Sequence, residues 1–357
     1  MIITSCTLKN FRCFDEYTTH FTQPIVIIEG HNGCGKSSLL EALHYACYLK
    51  SFRTHTLKEL ISFKQESFYI DILGHDQADA GETTRIRIGY SPAKRVVKVN
   101  EKKPDSYKDL VSSYKIISIH EPDLQLITGS PEFRRSALDQ ALLIRTPSAA
   151  LYLKRYKTYV EQRNALLDQP SFNQTVWEIL TKQVWECGYQ ITQLRQELLG
   201  ALQIQMQALI QEHFMPFPTI TLSYESKGSL GESFEEFLSA SGKLFEQERF
   251  ARRTLFGPHL DDLSIEYNNL DSRHFASRGQ QKLIMVLFKI AQCTLNQNQS
   301  IILLDDILAD FDQNTLSKIV MLCANTSPQL FITTPTPPEF LVTLFKSNGK
   351  EIQHIKL

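Results

Sequence analysis

The sequence predicts an α/β protein: a mixed sheet with flanking helices plus a β-rich lobe, interrupted by an inserted helical arm. Three observations carry that reading. First, Ile25-Val26-Ile27-Ile28 is a short apolar run bounded by turn formers, the pattern of a buried and parallel strand. A helical stripe of Leu39, Leu40, Ala42, Leu43 and Ala46 follows it. Second, a strongly apolar run, Ile301-Ile302-Leu303-Leu304, recurs near the other end of the chain. Third, residues 131–214 read as helix almost throughout, with Gly188 and Gly200 the only glycines.

The remaining elements follow in order. Residues 1–14 read as a strand and turn around Asn10-Phe11-Arg12. Residues 68–119 alternate in short β-rich stretches, such as Arg85-Ile86-Arg87-Ile88 and Val96-Val97-Lys98-Val99, expected as hairpins beside the first strand. The helical block breaks near Pro147 and Pro170, and its longest helix is expected over about 172–214. Apolar spacing there is too irregular for a coiled coil, so a pair or bundle of helices is expected. Pro216 and Pro218 end the block, and 219–267 return to short mixed elements. A helix at about 279–296, the second apolar strand, a helix at about 313–325 and a strand Leu330-Phe331-Ile332 complete the chain. The expected division is a head made of 1–125 and 255–357, with 126–254 as a mainly helical arm.

Composition bounds the partners. Lys+Arg and Asp+Glu number 38 and 39, so there is no global basic field for nucleic acid or membrane, although a local patch is not excluded. The seven cysteines form no C-x-x-C pair, which reads as free thiols in a reducing compartment. There is no signal pattern and no apolar run near the roughly 20 residues that span a bilayer. A cytoplasmic protein with no membrane partner is expected.

Gly30-His31-Asn32-Gly33-Cys34-Gly35-Lys36-Ser37 fits G-x-x-x-x-G-K-[ST], with a strand before it and a helix after it. Its glycines let backbone N–H groups point at phosphate oxygens, and the helix adds the positive end of its dipole. ATP is the expected ligand. Lys36 is positioned for the β- and γ-phosphates, and Ser37 for Mg²⁺. Ser38 is grouped with the nucleotide contacts. Asp305-Asp306 ends the second apolar strand. Alone, such a pair reads more readily as a structural cap. With the loop, Asp305 is expected in the magnesium shell, and Asp306 one residue on, where it orients or deprotonates an attacking water. Ser277-Arg278-Gly279-Gln280-Gln281 opens a helix about 25 residues before Asp305. Its plain reading is a helix N-cap. Its place before the Asp305-Asp306 strand is that of the signature of ATP-binding-cassette ATPases, which completes the site of a second subunit.

The ordered set of motifs resembles the RecF family, recombination and DNA-repair ATPases related to SMC heads. It runs through Leu8-Lys9-Asn10-Phe11-Arg12, the phosphate loop, Ser51-Phe52-Arg53-Thr54 and Gly129-Ser130-Pro131 with Arg134-Arg135. It continues through Tyr156 to Leu167, Gly257-Pro258-His259-Leu260-Asp261-Asp262-Leu263, Phe275 to Gln281, and Leu303-Leu304-Asp305-Asp306. The resemblance implies a P-loop ATP-binding-cassette head that dimerises on ATP. In that dimer Ser277, Arg278, Gly279 and Gln280 of one copy would act in trans on ATP held by the other. It implies slow hydrolysis with Lys36 and Asp306 as the catalytic residues. It also implies DNA replication, repair and recombination work: binding duplex next to a single-stranded gap, with RecR and, through it, RecO and RecA. Leu308-Ala309-Asp310-Phe311-Asp312 resembles the loop that crosses the dimer interface.

Three segments depart from the family. Ile119-His120-Glu121-Pro122-Asp123-Leu124 stands where Phe-Ser-Pro-Glu-Asp-Leu is usual, leaving open which side chain approaches the magnesium. Asp306 replaces the glutamate of most cassette ATPases, and Thr333-Thr334-Pro335 stands where many carry a switch histidine. Arg12 and Arg53 are candidates for the nucleotide, with a surface ion pair as the alternative; His259 beside Asp261-Asp262 reads as a structural loop. The basic positions Lys94-Arg95, Lys98, Lys102-Lys103, Arg134-Arg135, Lys154-Arg155, Lys157 and Arg252-Arg253 are candidates for DNA, without any being assigned to it. Other classes remain open: a transporter ATPase subunit, a small-molecule P-loop kinase, or a scaffold that binds ATP without hydrolysing it. About 240 residues separate Lys36 from Ser277, against roughly 100 expected for a transporter subunit.

Overall fold

The computed structural model describes residues 2–76, 82–104, 115–171, 173–214, 219–228, 230–297, 299–306, 311–335 and 339–357. Along the chain, β1 (Ile2–Phe11), β2 (Phe14–His20) and β3 (Ile25–Glu29) precede α1 (Lys36–Tyr48). Then come β4 (Phe68–His75), β5 (Thr83–Ser91), β6 (Lys94–Val99) and β7 (Lys115–His120). The helices α2 (Pro131–Arg145), α3 (Ala149–Leu167) and α4 (Gln174–His213) follow. After β8 (Ile220–Glu225), α5 (Phe234–Ala240) and α6 (Gly242–Ala251) lead to β9 (Asp262–Tyr267) and β10 (Leu270–Asp271). The chain closes with α7 (Arg278–Leu295), β11 (Ser300–Asp305), α8 (Gln313–Thr326), β12 (Leu330–Thr334), α9 (Glu339–Ser347) and β13 (Ile352–Lys356).

These elements form two compact units, Met1–Asp123 with Met285–Leu357, and Leu124–Ile284. The functional division expected from sequence groups 255–284 with the head instead.

The first unit holds two sheets. One is antiparallel, in the order β2-β1-β4-β5-β6, and the other is wholly parallel, in the order β13-β3-β12-β11-β7. Strands β4 to β6 are the expected hairpins beside β1. Residues 115–120 are not: β7 leaves that series and pairs in parallel with β11. Its run Ile116-Ile117-Ser118-Ile119 is buried although β7 is an edge strand of that sheet, matching a parallel strand covered on both faces. Helix α1 contacts strands of both sheets, so it is buried all round and not along one stripe only. The buried Gln329 amide ties the sheets together, accepting from the Ile3 amide and donating to the Ile3 carbonyl, both at 2.8 Å.

The second unit is mainly helical, with the three-stranded sheet β10-β9-β8. The 40-residue α4 packs on α3. Tyr156, Val184, Ile191, Phe237 and Phe256 form its apolar centre. Beside it the fully buried Arg163 is neutralised by Glu248 at 2.6 Å and bonds Thr181 and Thr254, because a buried charge is tolerated only when paired and hydrogen-bonded. Among the described residues, no helix is long and apolar enough to cross a membrane.

Candidate functional site

The phosphate-binding motif forms the turn between β3 and α1, as its sequence requires. Gly33 and Gly35 take φ values of 88° and 113°, open to glycine at no steric cost. At Gly35 space enforces the same choice: a Cβ would lie 2.6 Å from the Phe14 ring and 2.9 Å from Cys13 Sγ. Lys36 folds back over the loop and donates to the carbonyls of Gly30 at 2.5 Å and His31 at 3.0 Å. Asn32, Gly33, Gly35, Lys36, Ser37 and Ser38 line a cavity of about 440 Å³, together with Arg12, Arg53 and Asp306. His31 and Cys34 belong to the loop but not to that lining.

Parallel pairing of β11 beside β12, and of β12 beside β3, carries the aspartates to this loop. The Ser37 hydroxyl donates to Asp305 Oδ1 at 2.9 Å. The buried Thr333 hydroxyl, at the end of β12, donates to the same oxygen at 2.9 Å and accepts from the Asp306 amide at 3.0 Å. Asp306 takes φ 50°, a region that aspartate visits more readily than most residues. Burial pushes the Asp305 carboxyl above its ordinary range, opposed by the hydrogen bonds from Thr333 and Ser37. Among the described residues no lysine or arginine pairs with Asp305. A buried carboxylate beside a serine hydroxyl is a hard-oxygen donor set that suits Mg²⁺, which takes one or two protein ligands and fills the rest with phosphate and water.

Arg12 lines the cavity, and its ion pair is with a buried partner and not a surface one. Its guanidinium grips Glu41 of α1 through Nε at 2.8 Å and Nη2 at 2.7 Å, and Glu41 is wholly buried. Arg53 Nη1 lies 3.5 Å from the same carboxylate, and the Ser51 hydroxyl donates to it. Glu41 therefore fixes two basic side chains on the cavity wall. Sequence reasoning missed it, and no local signal marks it: Arg12 and Glu41 are 29 residues apart.

The unusual segment 119–124 also resolves into contacts. His120 sits opposite Asp305 in the β7–β11 register, and its ring stacks on Phe52, with centroids 4.6 Å apart. Asp123 turns to Lys289, at 2.9 Å, and accepts from the His120 amide at 2.9 Å. His120 Nδ1 lies 3.2 Å from Asp123 Oδ2, makes no hydrogen bond, and forms an ion pair there only when the imidazole is protonated. Burial lowers the His120 pKa.

The signature residues lie in the unit Leu124–Ile284. The Ser277 amide donates to Gln280 Oε1 at 2.8 Å, and the Gln280 amide donates to Ser277 Oγ at 3.4 Å, a reciprocal capping box that starts α7. Ser277 and Arg278 are exposed, and a Cβ built on Gly279 meets nothing within 4 Å. His259 is structural, with its ring held by Tyr156 at 2.6 Å and the Thr254 carbonyl at 3.3 Å. Of the segment 308–312, residues 308–310 lie outside the described residues; Asp312 caps α8.

Known proteins agree with this arrangement. The model of the RecF/RecN/SMC N-terminal domain matches residues 2–343. The DNA replication and repair protein RecF of Thermosynechococcus vestitus is 30% identical over 354 residues, covering 95% of this chain and 92% of its own. The chain belongs to the RecF family. RecF of Chloroherpeton thalassium is 31% identical, covering 88% of this chain and 90% of its own. A solved structure of the recombination mediator protein RecF with ATP, in the RecFOR pathway, shares the fold with a TM-score of 0.85. It is 24% identical and covers 94% of this chain and 92% of its own. An Smc head bound to the C-winged helix domain of ScpA shares the fold more distantly, with a TM-score of 0.55 at 14% identity.

The candidate basic positions of this RecF-family chain differ in how they are paired. Arg134 forms a two-pronged pair with Asp262, both bonds at 2.8 Å, and Arg135 donates to the Asp261 carbonyl at 2.7 Å. Both act inside their own unit and are removed from the candidates for DNA. Lys157 and Arg252 pair weakly on the surface with Glu161 and Asp168. Lys94, Lys98, Lys102 and Lys103 are exposed, and none forms an ion pair among the described residues.

Proposed function

We propose that this chain is an ATP-switched DNA clamp of recombination and repair. ATP binds in the cavity along the phosphate loop. Backbone amides of residues 30–37 hold the phosphates, and Lys36 exchanges its loop carbonyls for phosphate oxygens. Ser37 and Asp305 would hold Mg²⁺, which when bound neutralises charge on the β- and γ-phosphate oxygens. Ser277, Arg278, Gly279 and Gln280 of one copy, the first two exposed, complete the site of the other, so that ATP closes a homodimer. In hydrolysis, water attacks the γ-phosphorus, the bond to the ADP oxygen breaks, and Asp306 orients the water and takes up its proton. A short aspartate at that position and a threonine in place of a switch histidine favour a slow ATPase, a timer more than a motor. DNA is bound as duplex next to a single-stranded gap, in concert with RecR and, through it, RecO and RecA.

The observation that carries this reading is the 2.9 Å contact of Ser37 with Asp305, residues 268 positions apart. It unites the two halves of a nucleotide site. Equilibrium binding of a fluorescent ATP analogue tests it. Lys36→Ala is expected to lose most of the affinity while the protein keeps its thermal stability; unchanged affinity would remove the nucleotide assignment.

A further inference from the structure

In the unit Met1–Asp123 with Met285–Leu357, the antiparallel sheet ends on β6, and that edge is basic. Between Thr84 and Pro104 the chain carries seven basic residues against one acid, Glu101, in a protein whose net charge is -1. Arg85 is neutralised by Asp71 at 2.6 Å, and Arg87 pairs with Glu101. The four lysines at 94, 98, 102 and 103 remain exposed, with no ion pair among the described residues.

The backbone lines them up. Lys98 sits opposite Arg87 and Lys94 opposite Ser91, whereas Val97 and Val99 face the buried Ile88 and Ile86. Side chains alternate along a strand, so Lys94 and Lys98 share the face away from that core, about 13 Å apart at the usual strand rise. Asn100 and Glu101 then take φ 48° and 66°, the conformation of a tight two-residue reversal. It returns Lys102 against Val99, with backbone hydrogen bonds of 2.8 and 3.0 Å. Four ammonium groups without an ion pair among the described residues thus gather along one sheet edge, Lys94 and Lys98 on one face of it and Lys102, opposite Val99, on the other.

We propose that this strip, β6 with the Lys102-Lys103 return, is the surface that grips the phosphate backbone of duplex DNA. The proposal rests on the DNA-binding reading above. Duplex DNA presents one charge about every 1.7 Å of axis, so a strip of this length faces several phosphates. Lysines offer point charges, which position a duplex without reading its sequence. That fits a protein directed to the structure of a DNA site. Charged edges also protect sheets from pairing with stray strands. Any charge does that, whereas phosphate binding needs a positive one, and the difference gives the test.

The paired variants Lys94→Glu/Lys98→Glu and Lys102→Glu/Lys103→Glu, and their glutamine counterparts, are made in the full chain. Anisotropy of a labelled gapped duplex is followed with ATP across a salt series. Each reversal is expected to weaken binding about tenfold or more, and to lower the slope of log affinity against log salt by about 2. The glutamine pairs lose the same slope with a smaller loss of affinity, and binding of the fluorescent ATP analogue stays unchanged. Reversals that bind DNA like the parent, with the parent slope, overturn the assignment of this surface and leave the DNA-binding reading intact. A parent protein that binds no DNA even at low salt overturns both. Parent-like DNA binding combined with loss of a protein partner means that the strip is a protein-docking site, and also overturns the proposal.

Discussion

The Thr333 hydroxyl donates to the Asp305 carboxylate and accepts from the Asp306 amide, at 2.9 and 3.0 Å. In the proposed site it acts through both aspartates without touching the nucleotide: it orients the metal-side carboxylate and holds the strained backbone of Asp306. Residues that orient metal ligands typically change metal affinity or activity by about 10–100-fold when removed. Thr333→Val keeps the shape and deletes the bonds. It is expected to raise the Mg²⁺ concentration needed for half-maximal ATP binding by about tenfold, with little change in metal-free nucleotide affinity. Thr333→Ser should restore the parent value. Equal Mg²⁺ requirements in all three proteins would mean that the threonine only fills space. The sequence marked this position only as a missing histidine, because its partners are brought to it by strand order and not by neighbouring positions.

At the scale of elements, α1 shows what a sequence reveals and what it hides. Its glycine-rich start and apolar content were legible, as was the strand that precedes it. Its complete burial was not, since that depends on two sheets closing over it. The same holds for β7, which continues a run of β-rich stretches in sequence but joins the other sheet; a parallel partner 185 residues away leaves no local trace. The Arg12–Glu41 and Lys289–Asp123 pairs were hidden for the same reason. Burial of α1 has a consequence for pH. His44 is enclosed and bonded to Ser118 at 2.6 Å, and burial, helped by His120 and Lys289, lowers its pKa from 6.5 to about 3. Below pH 6.5 the unfolded chain therefore takes up a proton that the folded chain refuses, and stability falls as pH drops toward 3. The limiting slope is about 1.4 kcal/mol per pH unit for one such group. Urea denaturation at pH 7.5 and 5.5 should show His44→Asn losing about 1 kcal/mol less than the parent over that interval. Equal losses would place the pH sensitivity elsewhere.

At the scale of the whole molecule, the phosphate loop and the Asp305-Asp306 strand are joined in one unit, and the capping box of α7 presents exposed signature residues in the other. Family membership was legible because the motifs keep their order across most of the chain. The capping box sharpens how the dimer is to be tested, since Ser277 also starts a helix, and replacing it alone mixes folding with assembly. Gly279 separates them. It has open space around it, and an acidic side chain in the first turn of a helix favours that helix, yet would repel a triphosphate offered by a second copy. Sedimentation velocity with and without ATP and Mg²⁺ tests the clamp most directly. The parent is expected to pass from monomer to dimer on adding ATP, while Ser277→Arg and Gly279→Glu bind the nucleotide and stay monomeric. Dimerisation of both variants at the parent concentration of ATP would contradict a site completed by a second copy.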